Sequence, residues 1–217
     1  MRELRISKRS LLLGWLAGLL LAPDIALAHP HAWIDLRSRL VLDDEGRVRA
    51  LELDWLFDDF YTAFIADEFV KAGRPSSEFL AGIAAQNLAN LAEYNYFTDV
   101  RLDGERLPVG EVTQYETGLR DNRLWLRFEV PLAQPVDPRG GRLTFAVYDP
   151  TYYIEVLHLE GESIAFIGPG AEKCSADIIP PNPSFESVAL ASALDRGESA
   201  GDGLGELFAE TVVVSCS

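Results

Sequence analysis

The chain has 217 residues, with 34 acidic against 19 basic side chains, a formal charge of −15, 48% hydrophobic residues, two cysteines and a single methionine. So acidic a balance argues against a nucleic-acid or anionic-lipid partner and favours attraction of cations. Length and apolar content suffice for one domain with a full core.

In chain order, Arg2, Arg5, Lys8 and Arg9 precede an apolar run from Leu11 to Leu21 broken only by glycines and Trp15. Ala26-Leu27-Ala28 then supplies a small-x-small cleavage pattern. The run is shorter than the roughly 20 residues that span a bilayer. Residues 1–28 therefore read as a signal peptide, most simply for Sec export, and residues 29–217 as a single periplasmic domain without stable membrane insertion. Cleavage leaves 15 basic and 32 acidic residues, a charge near −17.

The mature chain would then begin His29-Pro30-His31. A terminal histidine offers its α-amine and Nδ1 to one metal ion, and a second imidazole two residues on supplies a third nitrogen. Reference pKa values near 7.7–8 for the amine and about 6.5 for imidazole mean that such a site loads near neutrality and weakens in acid. Pro30 has no N–H and cannot become the anionic amide ligand of the square-planar copper/nickel site. An oxygen partner is expected for zinc, nickel or cobalt.

Trp33, Asp35, Arg37 and Arg39 alternate with Ile34, Leu36, Ser38 and Leu40, a strand pattern. Asp43-Asp44-Glu45-Gly46 turns the chain into a second strand, Val48 to Phe57, giving a hairpin. Asp58 or Asp59 caps a helix to about Ala72 with Phe60 and Phe64 on its apolar face. Ser76 or Ser77 opens a second helix to about Glu93. Strand patterns follow: Val100 to Leu107 around Asp103-Gly104, Leu124 to Val130 ended by Pro131 and Pro135, Leu143 to Tyr148, Tyr152 to Leu159, Ile164 to Ile167 and Ala176 to Ile179. Residues 195–205 have little to bury, and Thr211 to Ser215 is a last strand. The fold class is α+β, a mainly antiparallel, sandwich-like sheet domain with two helices inserted after the first hairpin.

Cys174 and Cys216, an even count in an exported chain, are expected to form a disulfide. With no thiolate left and Met1 lost with the signal, copper(I) and iron–sulfur sites are disfavoured. Carboxylate candidates for a metal are Asp35, Asp58, Asp59, Asp99 and Asp149. Each has an ordinary alternative: helix caps for Asp58 and Asp59, a turn for Asp149 before Pro150, a solvent-facing strand position for Asp35. His158, read on the polar phase of its strand, is a lesser candidate. Asp54, Asp58 and Asp59 have no catalytic companions at useful spacing, and no nucleophile elbow is present.

Four segments carry a family resemblance: Ala28-His29-Pro30-His31-Ala32-Trp33-Ile34-Asp35, Trp55-Leu56-Phe57-Asp58-Asp59-Phe60-Tyr61, Val147-Tyr148-Asp149-Pro150-Thr151-Tyr152-Tyr153 and Phe208-Ala209-Glu210-Thr211-Val212-Val213-Val214-Ser215-Cys216. They resemble, in order and over nearly the whole mature chain, a bacterial periplasmic family of unknown function labelled as an uncharacterised ABC-type transport component. Its members accompany NicO-type nickel/cobalt permeases and occur in the Zev zinc-uptake system. The resemblance implies a metal-binding accessory protein serving an inner-membrane permease, with His29, His31 and Asp149 on matching motif positions.

The expectation is therefore a non-enzymatic domain binding one divalent ion, Zn2+ before Ni2+, Co2+ or Cu2+, through His29 and His31, with Asp149 and then Asp35 completing the site. Two alternatives stand beside it. One is a copper histidine-brace oxidoreductase with His158 as the distant imidazole, and the other is a transporter adaptor whose histidines are incidental.

Overall fold

The computed structural model describes residues 30–72, 77–194, 201 and 203–217. Residues 1–28, read above as a signal peptide, His29 and most of the 195–205 stretch lie outside the described residues.

The first hairpin forms as its alternation requires. β1 (Ala32–Leu42) pairs antiparallel with β2 (Val48–Phe57), Ile34 opposite Phe57 and Leu40 opposite Leu51. Even-numbered side chains of β1 point into the core, and Trp33, Asp35, Arg37 and Arg39 point outward. The turn is held by Asp43, whose Oδ1 accepts the N–H groups of Glu45 and Arg47.

Two helices follow, α1 (Asp59–Ala72) and α2 (Ser77–Leu91). Asp58 caps α1, its Oδ1 accepting the Tyr61 N–H at 2.8 Å. The helix is rotated away from the expected face, however, leaving Phe60 80% and Phe64 68% exposed. Neighbouring contacts set that rotation. The Tyr61 ring stacks on Phe57 at 4.7 Å, Thr62 Oγ1 accepts the Leu124 N–H, and Ile65 is buried. In α2, Leu80, Ala84 and Leu88 recur every fourth residue and face the core.

The remaining strands are β3 (Thr98–Leu102), β4 (Glu105–Arg106), β5 (Tyr115–Arg120), β6 (Arg123–Val136), β7 (Leu143–Val147), β8 (Ile154–His158), β9 (Ile164–Ile167), β10 (Cys174–Ile179) and β11 (Thr211–Cys216). One sheet runs β5-β6-β2-β1-β8, with β9 also pairing β1. The other runs β10-β11-β7-β3-β4. Pairing is antiparallel except that β8 and β9 run parallel to β1. Apolar side chains of both sheets and α2 share one core around Trp55, whose ring meets Phe128 edge-on at 4.9 Å. The α+β sandwich-like reading stands, with a third helix, α3 (Phe185–Ala193), capped by Ser184.

Two expectations need correction. Pro131 and Pro135 do not end β6. They sit beside a register slip between Val48 and Ala50 on β2, where a missing N–H is tolerated. His158 is not on a polar phase either. It pairs with Leu36 and shares the inward phase of Ile154 and Val156. The expected disulfide is present, Cys174 lying directly across from Cys216 with Cα atoms 4.1 Å apart. Among the described residues no helix is long and apolar enough to cross a membrane.

Candidate functional site

Three of the motif segments, far apart in the chain, converge on one end of the sandwich, joined there by Phe208 at the start of the fourth. His31 enters β1 beside the Asp149–Tyr153 turn. Its N–H donates to Tyr153 O at 2.9 Å, and the two rings pack with centroids 4.8 Å apart. Asp58 ties Trp33, two residues on, in place. The Trp33 N–H donates to Asp58 Oδ2 at 2.7 Å, and the Asp58 N–H donates back to Trp33 O at 3.0 Å. One carboxylate thus caps α1 and fixes the strand that carries His31.

Asp149 organises the neighbouring turn. It is buried; Oδ1 accepts the Thr151 N–H (2.9 Å) and hydroxyl (2.8 Å), and Oδ2 accepts the Ile154 N–H (3.0 Å). The Asp149 carbonyl takes the Tyr152 N–H, and Tyr152 sits at φ +60°. That bend delivers Tyr153 O to His31. Behind it, Pro150 O accepts the N–H groups of Gly203 and Gly205, and Tyr152 stacks on Phe208 at 4.0 Å. Gly205 passes so close that an added Cβ would lie 1.8 Å from Asp149 O.

The carboxylates expected to complete a metal site have other partners. Asp35 is ion-paired with Arg123 at 2.8 Å and stands four strand residues from His31, about 13 Å at the usual rise. A single ion with bonds near 2 Å cannot join them without rearrangement. Asp149 is held by two backbone N–H groups and a hydroxyl. Among the described residues no three His, Cys, Asp or Glu side chains gather as a metal-binding group. The nitrogen half of the expected site, His29 and His31, suits a borderline metal; the oxygen half does not fit.

Three polar clusters escaped the reading of the chain. Asp54, under the outer face of the larger sheet, is bonded by Arg120 (3.2 and 3.3 Å) and Arg127 (2.9 Å). Burial pushes its carboxyl up, and the two arginines override that and hold it below the ordinary range. Asp99 likewise is buried yet held low by Arg101 and Arg106, with the Tyr148 hydroxyl 3.2 Å away.

The third is a buried relay. Ser38 Oγ lies 2.9 Å from His158 Nε2, and His158 Nδ1 lies 2.8 Å from Glu210 Oε2, which also accepts the His158 N–H at 2.8 Å. Burial raises the Glu210 carboxyl, but the bonds from His158 outweigh it and keep it low. An ionised carboxylate only accepts, so Nδ1 carries a proton, and Nε2 shares a hydrogen bond with the Ser38 hydroxyl. The distances are those of a nucleophile–base–acid relay. Ser38 is 1% exposed and the His158 side chain 2%, so no substrate reaches Oγ in this conformation. The relay instead joins the two sheets, linking β8 to the approach of β11.

Comparison with known proteins gives the same extent of likeness. An uncharacterised protein of Haemophilus influenzae is 25% identical over 192 residues, covering 88% of this chain and 92% of that protein. An uncharacterised 15.5 kDa protein from the trpE 3′ region of Spirochaeta aurantia is 30% identical over 93 residues, covering 43% of this chain and 66% of that protein. The profile described as "protein of unknown function (DUF1007)" matches residues 14–216, and the chain belongs to that family.

Proposed function

We propose that the mature chain is a periplasmic accessory protein that carries a divalent transition metal, zinc foremost, for an inner-membrane permease of the NicO type, as in Zev zinc uptake. The metal is cargo. The α-amine and Nδ1 of His29 and the imidazole of His31 supply three nitrogens, and a water or a group of the receiving protein takes the remaining position. A site with an open position exchanges its ion more readily than a closed four-ligand site. The observation that carries this reading is the anchoring of His31: its N–H on Tyr153 O, its ring on the Tyr153 ring, and Trp33, two residues on, clamped by Asp58. Asp149 acts here as a positioning residue for Tyr153. The disulfide accords with an oxidising compartment.

Zinc titration of the mature chain tests the reading, alongside His31→Ala and a form with one extra alanine ahead of His29. Both variants are expected to bind zinc more weakly by at least about tenfold, since even outer-shell changes cost that much. Wild-type affinity is expected to fall below about pH 7 as amine and imidazoles protonate. Equal affinity in the extended form would remove the amine from the site. No zinc binding by the mature chain would overturn the proposal.

A further inference from the structure

A second site lies on the other side of the Asp149-Pro150 turn, formed by the smaller sheet. There a cleft of about 310 Å³ is lined by Tyr94, Phe97, Asp99, Arg106, Tyr148 and Glu206 among others. Its floor carries an imbalance of charge. Asp99 is the one carboxylate bonded by both arginines: Arg101 donates through Nε and Nη2, Arg106 through Nε at 3.0 Å and Nη2 at 2.6 Å. Asp99 balances one of the two cations, and the surplus is met only by carboxylates at the rim, Glu206 and Glu93. Arg106 remains 52% exposed, and its Nη1 donates to no acceptor among the described residues.

The surplus has a weak internal occupant. Glu206, 54% exposed, reaches Arg101 Nη2 at 3.1 Å. A half-exposed ion pair of this kind contributes about 0–1 kcal/mol, so another carboxylate can displace it. The walls are aromatic: Tyr94 is partly exposed, and the Phe97 ring sits 6.3 Å from it. Asn95, Tyr96 and Phe97 all have left-handed backbones, φ +52°, +55° and +59°. For bulky L-residues that costs about 1–2 kcal/mol each. Strain of this kind persists where surrounding structure imposes it, and it clusters at ligand sites.

We propose that this cleft binds a small organic carboxylate with a flat apolar body, its carboxylate on the free edge of Arg106 and on Arg101 in place of Glu206, its body against the aromatic wall that Tyr94 and Phe97 form. Glu206 and Glu93 at the rim repel polyanions while leaving room for a singly charged molecule. Arginine's planar fork is matched to a carboxylate. The site is separate from the N-terminal histidines and does not depend on the metal reading.

The test is titration of the mature chain, followed by heteronuclear NMR, with phenylacetate, phenethylamine and inorganic phosphate as probes. Phenylacetate is expected to bind saturably and shift amides of residues 93–99 and 203–206, and phenethylamine is expected not to bind. Arg106→Gln, which leaves Asp99 bonded by Arg101 and Tyr148, is expected to weaken phenylacetate at least tenfold. Glu206→Gln is expected to strengthen it severalfold, and this exposed change reads the site even if the arginine variant does not fold. Absence of saturable phenylacetate binding in both wild type and Glu206→Gln would overturn the proposal. So would phosphate binding more tightly than phenylacetate, or Glu206→Gln weakening the interaction.

Discussion

Asp149→Asn separates two roles for one carboxylate, metal ligand or organiser of the turn. The substitution keeps shape and volume but turns one acceptor position into a donor. With the amide oxygen at Oδ1, the bonds from the Thr151 N–H and hydroxyl survive, and the new NH2 faces the Ile154 N–H. One hydrogen bond to a charged group is lost, about 1.5–3 kcal/mol, and the two survivors fall to neutral strength, about 0.5–1 kcal/mol less each. The total is about 2.5–5 kcal/mol, since Asp149 is 5% exposed and water cannot replace the lost partner. With a urea m-value of about 2 kcal/mol/M, the midpoint falls by roughly 1.2–2.5 M. Urea unfolding followed by tryptophan fluorescence reads this, with zinc affinity measured on the folded variant in the absence of urea. An organiser predicts the large midpoint shift with zinc affinity changed by no more than about tenfold through Tyr153. A midpoint moved by less than about 0.3 M, together with a hundredfold loss of zinc affinity, would refute the assignment and restore Asp149 as a ligand.

Gly205→Ala places a methyl group against the Asp149 backbone, 1.8 Å from O and 2.8 Å from C, where no flexible side chain can yield. Overpacking of this kind costs about 1–3 kcal/mol, and at about 2–4 °C per kcal/mol the melting temperature should fall by roughly 2–12 °C; an unchanged melting temperature would show that the segment does not lie on the turn. In acid, Asp54, Asp99 and Glu210 all sit below their ordinary values in the folded chain. Their stabilisation is therefore complete above the unfolded values near 3.9 and 4.3 and is lost as pH falls through the folded ones. Urea midpoints are expected to gain no slope from these groups above about pH 5 and to drop steeply below about pH 4. Asp99→Asn should lower the neutral-pH midpoint and flatten that drop, and a parallel curve would deny Asp99 its share.

What was legible in the chain was whatever local chemistry dictates. The hairpin of β1 and β2 follows from strict alternation, the cap on α1 from an aspartate before an apolar run, the β3–β4 turn from Asp103-Gly104, and the disulfide from an even cysteine count. β5 was missed because an edge strand exposed on both sides shows no alternation. Its signal was Asp121-Asn122, two residues with left-handed backbones, φ +52° and +62°, that make the tight turn into β6. α3 was missed too, although Ser184 ahead of an alanine-rich run was its cap signal. The outward turn of Phe60 and Phe64 could not be read, because contacts from Phe57 and Leu124, outside the helix, choose its buried face. The arginine cluster on Asp54 is assembled from three strands, β2, β5 and β6, and that on Asp99 from the β3–β4 hairpin, and no spacing in the chain announces them. The histidines were visible by their position alone; Tyr153, which seats His31, becomes visible only when β8 is laid parallel to β1.

The placement of β11 bears on when this protein can fold. It follows the other ten described strands in the chain, yet it lies inside its sheet, between β10 and β7, and contributes Val212 and Val214 to the core and Cys216 to the disulfide. Glu210, just ahead of it, closes the bond across the sheets to His158. Until those residues emerge, β10 has no neighbour in its sheet, β7 is an open edge, and His158 lacks its anionic partner. Synthesis proceeds at about 5–20 residues per second from the N-terminus, so the smaller sheet stays open until β11 has followed the other ten strands. A chain exported as proposed above would gain from an architecture in which the closing strand comes after the strands it joins.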